Sequence, residues 1–337
     1  MNHRDHIILT LLMLMLVISG CSTEVEVNSP ADSLPVVYGV IDPWSDHYSI
    51  YVAKSALTDT DILLAAQQPG YFRPDSVKVR MELWNDSIML WYTDFHEIKT
   101  EKEPGLFCNG SGWAMQSDRV IPKVSDSSAI HLIYPVFRNI RFFITSPEFS
   151  KPAYARIEYI EPVKILRPYL TDHNVVLYSR APLTINWAVN ERYKYFDVDF
   201  RVHYSEISET VRRSSVCFNY AADVATNGAY YEVKLEPERF LSLLAEGLSL
   251  DTLPCDYRKI HGFDLIVMGG DVNFLDYLVQ ARFGSPVYQR SFTNIVNGLG
   301  ILALKGETRR EGLIFAQESM DSLAMGRFTK QFGFVRW

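Results

Sequence analysis

The residues able to do chemistry are present but scattered. His47, His96, His131, His173, His203 and His261 stand far apart in the chain. A zinc protease needs two histidines one helical turn apart with a glutamate beside the first, so that both nitrogens reach one ion. No H-E-x-x-H occurs, and His96-Glu97 lacks its second histidine. Ser111 lies between Gly110 and Gly112 rather than at the centre of a G-x-S-x-G elbow, and an Asn109-Gly110 turn accounts for it. Asp42, Asp46, Asp59 and Asp61 offer calcium-type oxygens without the spacing of an EF-hand, so they read as turn and cap residues. Gly269-Gly270 precedes Asp271 without either phosphate-loop pattern, and it reads as a tight turn. Trp44, Tyr71, Phe72 and Trp113 fall in expected loops. Ring faces there stack on sugar or peptide ligands, whereas most aromatics of such folds fill cores. The expectation is a protein that is not an enzyme, with no catalytic residue, no metal ligand and no cofactor.

One cysteine carries a sharper signal. Arg4, an apolar run from Ile7 to Ile18, and the small residues Ser19 and Gly20 have the layout of an export signal. That run is too short to span a bilayer, which takes about 20 residues in a helix. Val17-Ile18-Ser19-Gly20-Cys21 resembles the lipobox of bacterial lipoproteins, in which a signal peptidase cuts before a diacylated cysteine. The resemblance makes residues 1–20 a signal peptide and Cys21 the site of lipid attachment, palmitate among the acyl chains. Residues 21–33 are polar, carry Pro30, and read as a tether. Glu24 and Glu26 partly resemble an acidic signal for transfer to the cell surface.

The composition suits a folded, acidic chain. Its 337 residues are 47% hydrophobic with a formal charge of -7, which supports sizeable cores and argues against nucleic acid, whose partners present a basic face. Arg212-Arg213 and Arg309-Arg310 read as solvated turns rather than phosphate sites. After Cys21, the cysteines Cys108, Cys217 and Cys255 are odd in number and form no C-x-x-C. A bridge, if one forms, is expected between Cys217 and Cys255; free thiols are the alternative.

The elements that would position these residues are mostly strands. Pro35 to Ile41 is β-rich, and Tyr48, Ile50 and Val52 share one face. Val77, Val79, Met81 and Leu83 point inward, Lys78, Arg80 and Glu82 toward water, and Asn85-Asp86 turns the chain into Ile88 to Tyr92. Further strands are expected at Ile130 to Tyr134, Ile140 to Thr145, Tyr154 to Ile160, Leu183 to Val189, Tyr195 to His203 and, after an Asn227-Gly228 turn, Tyr230 to Leu235. Asp61 to Gln68 can form a short helix. Pro237 opens a helix with Phe240, Leu241 and Leu244 on one face and Gly247 as its stop. Asp271 caps another that holds Phe274, Leu275 and Leu278. Strands with one apolar and one polar face must cover the apolar one. The expected fold is therefore mainly β: an amino-terminal immunoglobulin-like β-sandwich over 34–165, then a second β-rich domain over 166–337 with about two helices.

Three stretches resemble an uncharacterised family of Bacteroidota lipoproteins: Pro35-Val36-Val37-Tyr38-Gly39-Val40-Ile41-Asp42, Phe274-Leu275-Asp276-Tyr277-Leu278, and Phe292 to Ile301 with its Asn294, Asn297-Gly298 and Gly300. The family usually follows the last stretch with an aromatic, where this chain has Leu302. The resemblance implies a β-sandwich protein of the outer membrane, on its periplasmic face or at the cell surface, in the company of a TonB-dependent transporter. It implies a role accessory to nutrient import or surface binding, with a structural or adhesive subunit joined by strand addition as the alternative. It assigns no catalytic residue.

Overall fold

The computed structural model describes residues 33–55, 64, 65, 67, 68, 70–101, 112–121, 137–169, 174, 175, 183–188, 190–222, 224, 230–249, 255–283 and 292–335. The expected strand at Ile130 to Tyr134, the Asn227-Gly228 turn, Cys21 and Cys108 lie outside these residues, as does most of Asp61 to Gln68.

The fold is mainly β, as expected. In chain order the first strands are β1 (Pro35–Ile41), β2 (Ser49–Lys54), β3 (Lys78–Asn85), β4 (Ile88–Thr100), β5 (Gly112–Ser117), β6 (Asn139–Thr145) and β7 (Ala153–Glu158). Alternation decides their orientation: Ile50 and Val52 of β2, and Val79, Met81 and Leu83 of β3, are all buried. Glu82 departs from the expectation that it faces water. Trp84 lies over it and donates its indole N–H to Glu82 Oε2 at 2.7 Å, while the Arg141 guanidinium stacks on Trp84 at 4.0 Å. The β3–β4 turn has Asp86 at φ 49°, a left-handed value that a short polar side chain tolerates. From Ile88 to Asp94, β4 pairs β3; from Phe95 to Thr100 it pairs β5. One strand thus turns a sandwich corner.

The remaining strands are β8 (Ile165–Arg167), β9 (Asn174–Val175), β10 (Leu183–Ala188), β11 (Tyr195–Ile207), β12 (Val211–Ala222), β13 (Tyr230–Leu235), β14 (Tyr257–Gly270), β15 (Ile295–Val296) and β16 (Leu299–Phe315). Hydrogen bonding runs along one path, β12-β11-β14-β16-β1-β2-β5-β4-β3-β6-β7-β15, and a separate sheet has the order β13-β10-β8. The two sheets of the second half enclose an aromatic core. Phe196 lies 4.2 Å from Tyr231, Trp187 stacks on Tyr231 at 5.8 Å, and Phe263 meets Phe315 at 4.6 Å.

The expected division between residues 165 and 166 falls inside β8, whose partner is β10 of the second half. The halves are also joined by β16, which pairs β1 in parallel from Leu299 to Leu304 and then β14 antiparallel from Lys305 to Leu313. Gly300 makes this possible. Its φ is +104°, and a Cβ there would stand 2.0 Å from the Val37 carbonyl oxygen.

The second half holds three described helices, one more than expected there: α1 (Pro237–Ser249), α2 (Val272–Phe283) and α3 (Gln317–Met325). α1 opens at Pro237 and buries Phe240, Leu241, Leu244 and Leu248, each worth about 1.5–3 kcal/mol of apolar burial. Gly247 is not its stop but an interior residue, required because a Cβ would fall 2.3 Å from Val216 Cγ2 on β12. Gly269-Gly270 is likewise no turn. The pair ends β14, where added side chains would meet the Tyr193 and Phe274 rings. α3 follows Ala316, which makes no side-chain cap bond, so the usual start signal is missing.

The carboxyl end is clamped. Arg258 donates to Glu206 Oε1 at 2.7 and 3.1 Å and to the Phe332 carbonyl at 2.9 Å, with both side chains of the pair under a tenth exposed. Removing one partner from a buried pair strands the other charge in a poorly solvated place.

Two glycine substitutions separate strain from collision. Gly300→Ala should cost at least about 3 kcal/mol in chemical denaturation, since it adds a clash with Val37 to the strain of a positive φ. Gly312→Ala, at φ +70° with nothing within 4 Å of its Cβ, should cost about 1–2 kcal/mol.

Candidate functional site

The outer face of the β12-β11-β14-β16 sheet gathers charge from four strands. Their inner residues, such as Val198, Phe200 and Val202, are core, so alternation sends Asp197, Asp199, Arg201 and His203 outward. Asn219, Asp199, Ile266 and Arg309 form one cross-strand row, with Cys217, Arg201 and Asp264 in the next. On β16, Lys305, Glu307, Arg309 and Glu311 alternate and line a cleft of about 790 Å³. The opposite wall is the β1–β2 loop, with Asp42, Trp44, Asp46 and His47.

α2 closes one end of this face. Asp271 Oδ1 accepts the Phe274 N–H at 2.8 Å and the Leu304 N–H at 3.3 Å, so the expected cap also ties α2 to β16. Phe274 then packs with Tyr195, Ile301 and Ala303 against Val40 and Met268. Beyond that apolar cover the face is polar.

Electrostatics differ along it. Burial raises the Asp42 carboxyl pKa, against the lowering pull of the Trp44 N–H bond and of Lys305 and Arg309. Burial also raises Asp199, opposed by its hydrogen bond from Asn219 and aided by Asp197 and Glu307. Arg309 donates to Glu307 Oε1 at 2.5 Å. With both signs interleaved, the cleft presents charges of both kinds side by side rather than one sign alone.

The sequence-stated candidates sort clearly. Asp42 Oδ1 accepts the Trp44 N–H at 3.0 Å, a turn role as expected, and His47 lines the cleft. His96 meets Asp118 at 2.6 Å on an exposed edge. His203 Nε2 meets Asp264 Oδ2 at 2.7 Å, whose other oxygen accepts the Gly312 N–H. Ser205 Oγ lies 2.6 Å from His261 Nε2, the spacing of a nucleophile and base. Burial, with Lys259, Arg213 and His203, lowers the His261 pKa and favours its neutral form. Yet Ser205 is 3% exposed, which leaves no approach for a substrate carbon; the contact satisfies a buried hydroxyl. His131, His173, Asp59, Asp61 and Ser111 fall outside the described residues. Among the described residues no three His, Cys, Asp or Glu side chains are grouped to hold a metal ion.

Cys217 and Cys255 are both free thiols, so the favoured bridge is not formed. Cys217 points outward from β12 while Cys255 leads into β14. The arginine pairs are not turns: Arg309 faces the cleft, and Arg310 on the opposite face donates to the Ile165 carbonyl at 2.8 Å. Arg212 binds Glu206 and Arg213 faces outward. Of the aromatics assigned to loops, Trp113 lies in β5 with its ring 5.5 Å from Tyr51 and its N–H on the Val52 carbonyl. Tyr71 and Phe72 pack edge to face on each other at 5.0 Å. Trp44 reaches the cleft. Sequence reading missed the β16 charges, whose signal was the period-two run Lys305-x-Glu307-x-Arg309-x-Glu311.

No protein-family model matches this chain, and no curated protein does either.

Asp42→Asn keeps the turn acceptor and deletes the buried charge. A carboxyl whose folded pKa is raised contributes most below its unfolded pKa and loses that contribution as pH rises through the folded value. The variant should therefore be more stable than wild type at about pH 7, with the gap closing near about pH 3, as read by urea denaturation.

Proposed function

We propose that this chain is a non-catalytic, lipid-anchored protein of the outer membrane, accessory to nutrient import or surface binding. The observation that carries the reading is the run Val17-Ile18-Ser19-Gly20-Cys21 behind an apolar stretch. Several acyl chains on Cys21, at about 0.8 kcal/mol per buried methylene, hold a protein far more firmly than one myristoyl group. No helix among the described residues is long and apolar enough to cross a membrane. The cleft between β16 and the β1–β2 loop supports the binding half of the reading, because it is wide, open and lined by charges of both signs. A TonB-dependent transporter in the same membrane is the partner this reading calls for.

A second reading, a structural or adhesive subunit joined by strand addition, is favoured by one feature. β12 ends the long hydrogen-bonded path as a 12-residue strand with one edge unpaired among the described residues.

Cys21→Ser should abolish uptake of a palmitate analogue and release the chain from sedimenting membranes. Residues 21–33 read as a polar tether ahead of β1, so the fold should be unchanged. A mutant that labels and sediments like wild type would sink the anchor assignment. Affinity purification from detergent-solubilised membranes should recover a transporter of the outer membrane, and Lys305→Glu with Arg309→Glu should weaken ligand capture without changing membrane attachment. Recovery of a hydrolytic activity with neither transporter nor ligand would overturn the reading.

A further inference from the structure

We propose that two copies of this chain pair through β12, antiparallel and about a two-fold axis that passes beside Cys217. The proposal deepens the strand-addition reading above and does not depend on the lipid anchor.

The edge itself is the first ground. Among the described residues β12 pairs β11 on one side only, over a length of roughly 40 Å at about 3.4 Å per residue. An edge that long presents a row of amides and carbonyls, and proteins usually guard it with proline, charged side chains, bulges or a very short strand. Val211–Ala222 holds no proline, its charges Arg212 and Arg213 are confined to its start, and its one register shift lies near its end, at Tyr220.

The other end of the path decides what the occupant is. It is β15, two residues long, which runs at once through Asn297 and Gly298 into β16. Head-to-tail addition of β12 to β15 would make only a two-residue ladder, too little to build a filament. An edge pairing with its own copy uses the long strand twice and closes on itself.

Charge fixes the direction. Near the start of β12, Arg213 faces out in the same cross-strand row as Lys259. Toward its end, Asn219 donates to Asp199 Oδ1 at 2.8 Å and to Asp197 Oδ1 at 3.3 Å, which marks an acidic end. A parallel pair sets basic against basic; the antiparallel pair sets the basic end of each copy against the acidic end of the other. An axis near the middle of the strand, which gives nearly the longest ladder, sets the exposed Cys217 opposite its own counterpart. Ser215 then faces Asn219 of the second copy, with no bulky side chain in the way.

The test compares full-length wild type with Cys217→Lys by analytical ultracentrifugation in reducing buffer and one detergent, so that the amino terminus contributes equally to both. Wild type should sediment as a dimer. The variant, with two ammonium groups opposed, should dissociate at least about tenfold more readily, with an unchanged circular dichroism spectrum showing that the fold survives. In cells treated with copper phenanthroline, wild type and Cys255→Ser should give a reducible dimer and Cys217→Ser none. A wild type that is monomeric, or a Cys217→Lys variant as dimeric as wild type, overturns the pairing. A ladder of higher oligomers overturns the closed pair and leaves strand addition standing. A cross-link from Cys217 to a different protein alone shows that the edge serves another partner, and it too overturns the self-pairing.

Discussion

A single strand with three kinds of neighbour holds this architecture together. β16 lies parallel to β1 for its first six residues, antiparallel to β14 for the next stretch, and parallel to β9 at its last two. Each change of partner has a local cause. Gly300 lets the β16 backbone approach Val37 closely, Asp271 binds the Leu304 N–H where β14 takes over, and a register shift between Phe263 and Leu265 frees Gly312 to bond Asp264. One continuous core, from Val37, Met81 and Phe142 to Trp187, Phe200 and Phe263, then packs across both halves.

The same strand makes the cleft. Its inner residues are committed to packing, so its outer ones are released to solvent, and alternation sets four charges in a row facing the β1–β2 loop. Asp42 is held in that loop by its own turn, and Tyr48 anchors the loop from below by donating to the Pro43 carbonyl at 3.2 Å. The charged groups are therefore mounted on sheet and on a pinned turn, which is the rigid setting a binding surface needs.

Much of this was legible in the chain, and the failures have physical reasons. β2 and β3 follow alternation, β1, β6 and β10 are dense in β-branched and aromatic residues, and α1 and α2 announce themselves by Pro237 and Asp271. β14 was lost because it is buried on both faces over much of its length, so Phe263 to Val267 shows no period of two. β12 was lost because polar residues flank its few apolar ones. α3 carries no cap residue. Glu82 was misplaced because its cover, Trp84, sits on the same strand two residues away, a contact that no periodicity reports. The cleft was the least readable feature, since Asp42 and Lys305 are brought together only by a pairing between the two ends of the chain. Cys21, by contrast, is read from sequence alone.

That pairing has a consequence in time. Val36 must find Leu299, and no local contact can stand in for it, so the loop to be closed is most of the chain. The amino-terminal strands can form hairpins as soon as they emerge, but β1 keeps an open edge until β16 has been made. Folding is consequently slow and late to commit, governed by contact order rather than by helix formation. Until then the Val36 to Ile41 segment is an uncovered apolar strand, of the kind that chaperones recognise and that aggregation exploits. A chain cut short before residue 299 would hold most of its residues and lack the strand that closes its first core.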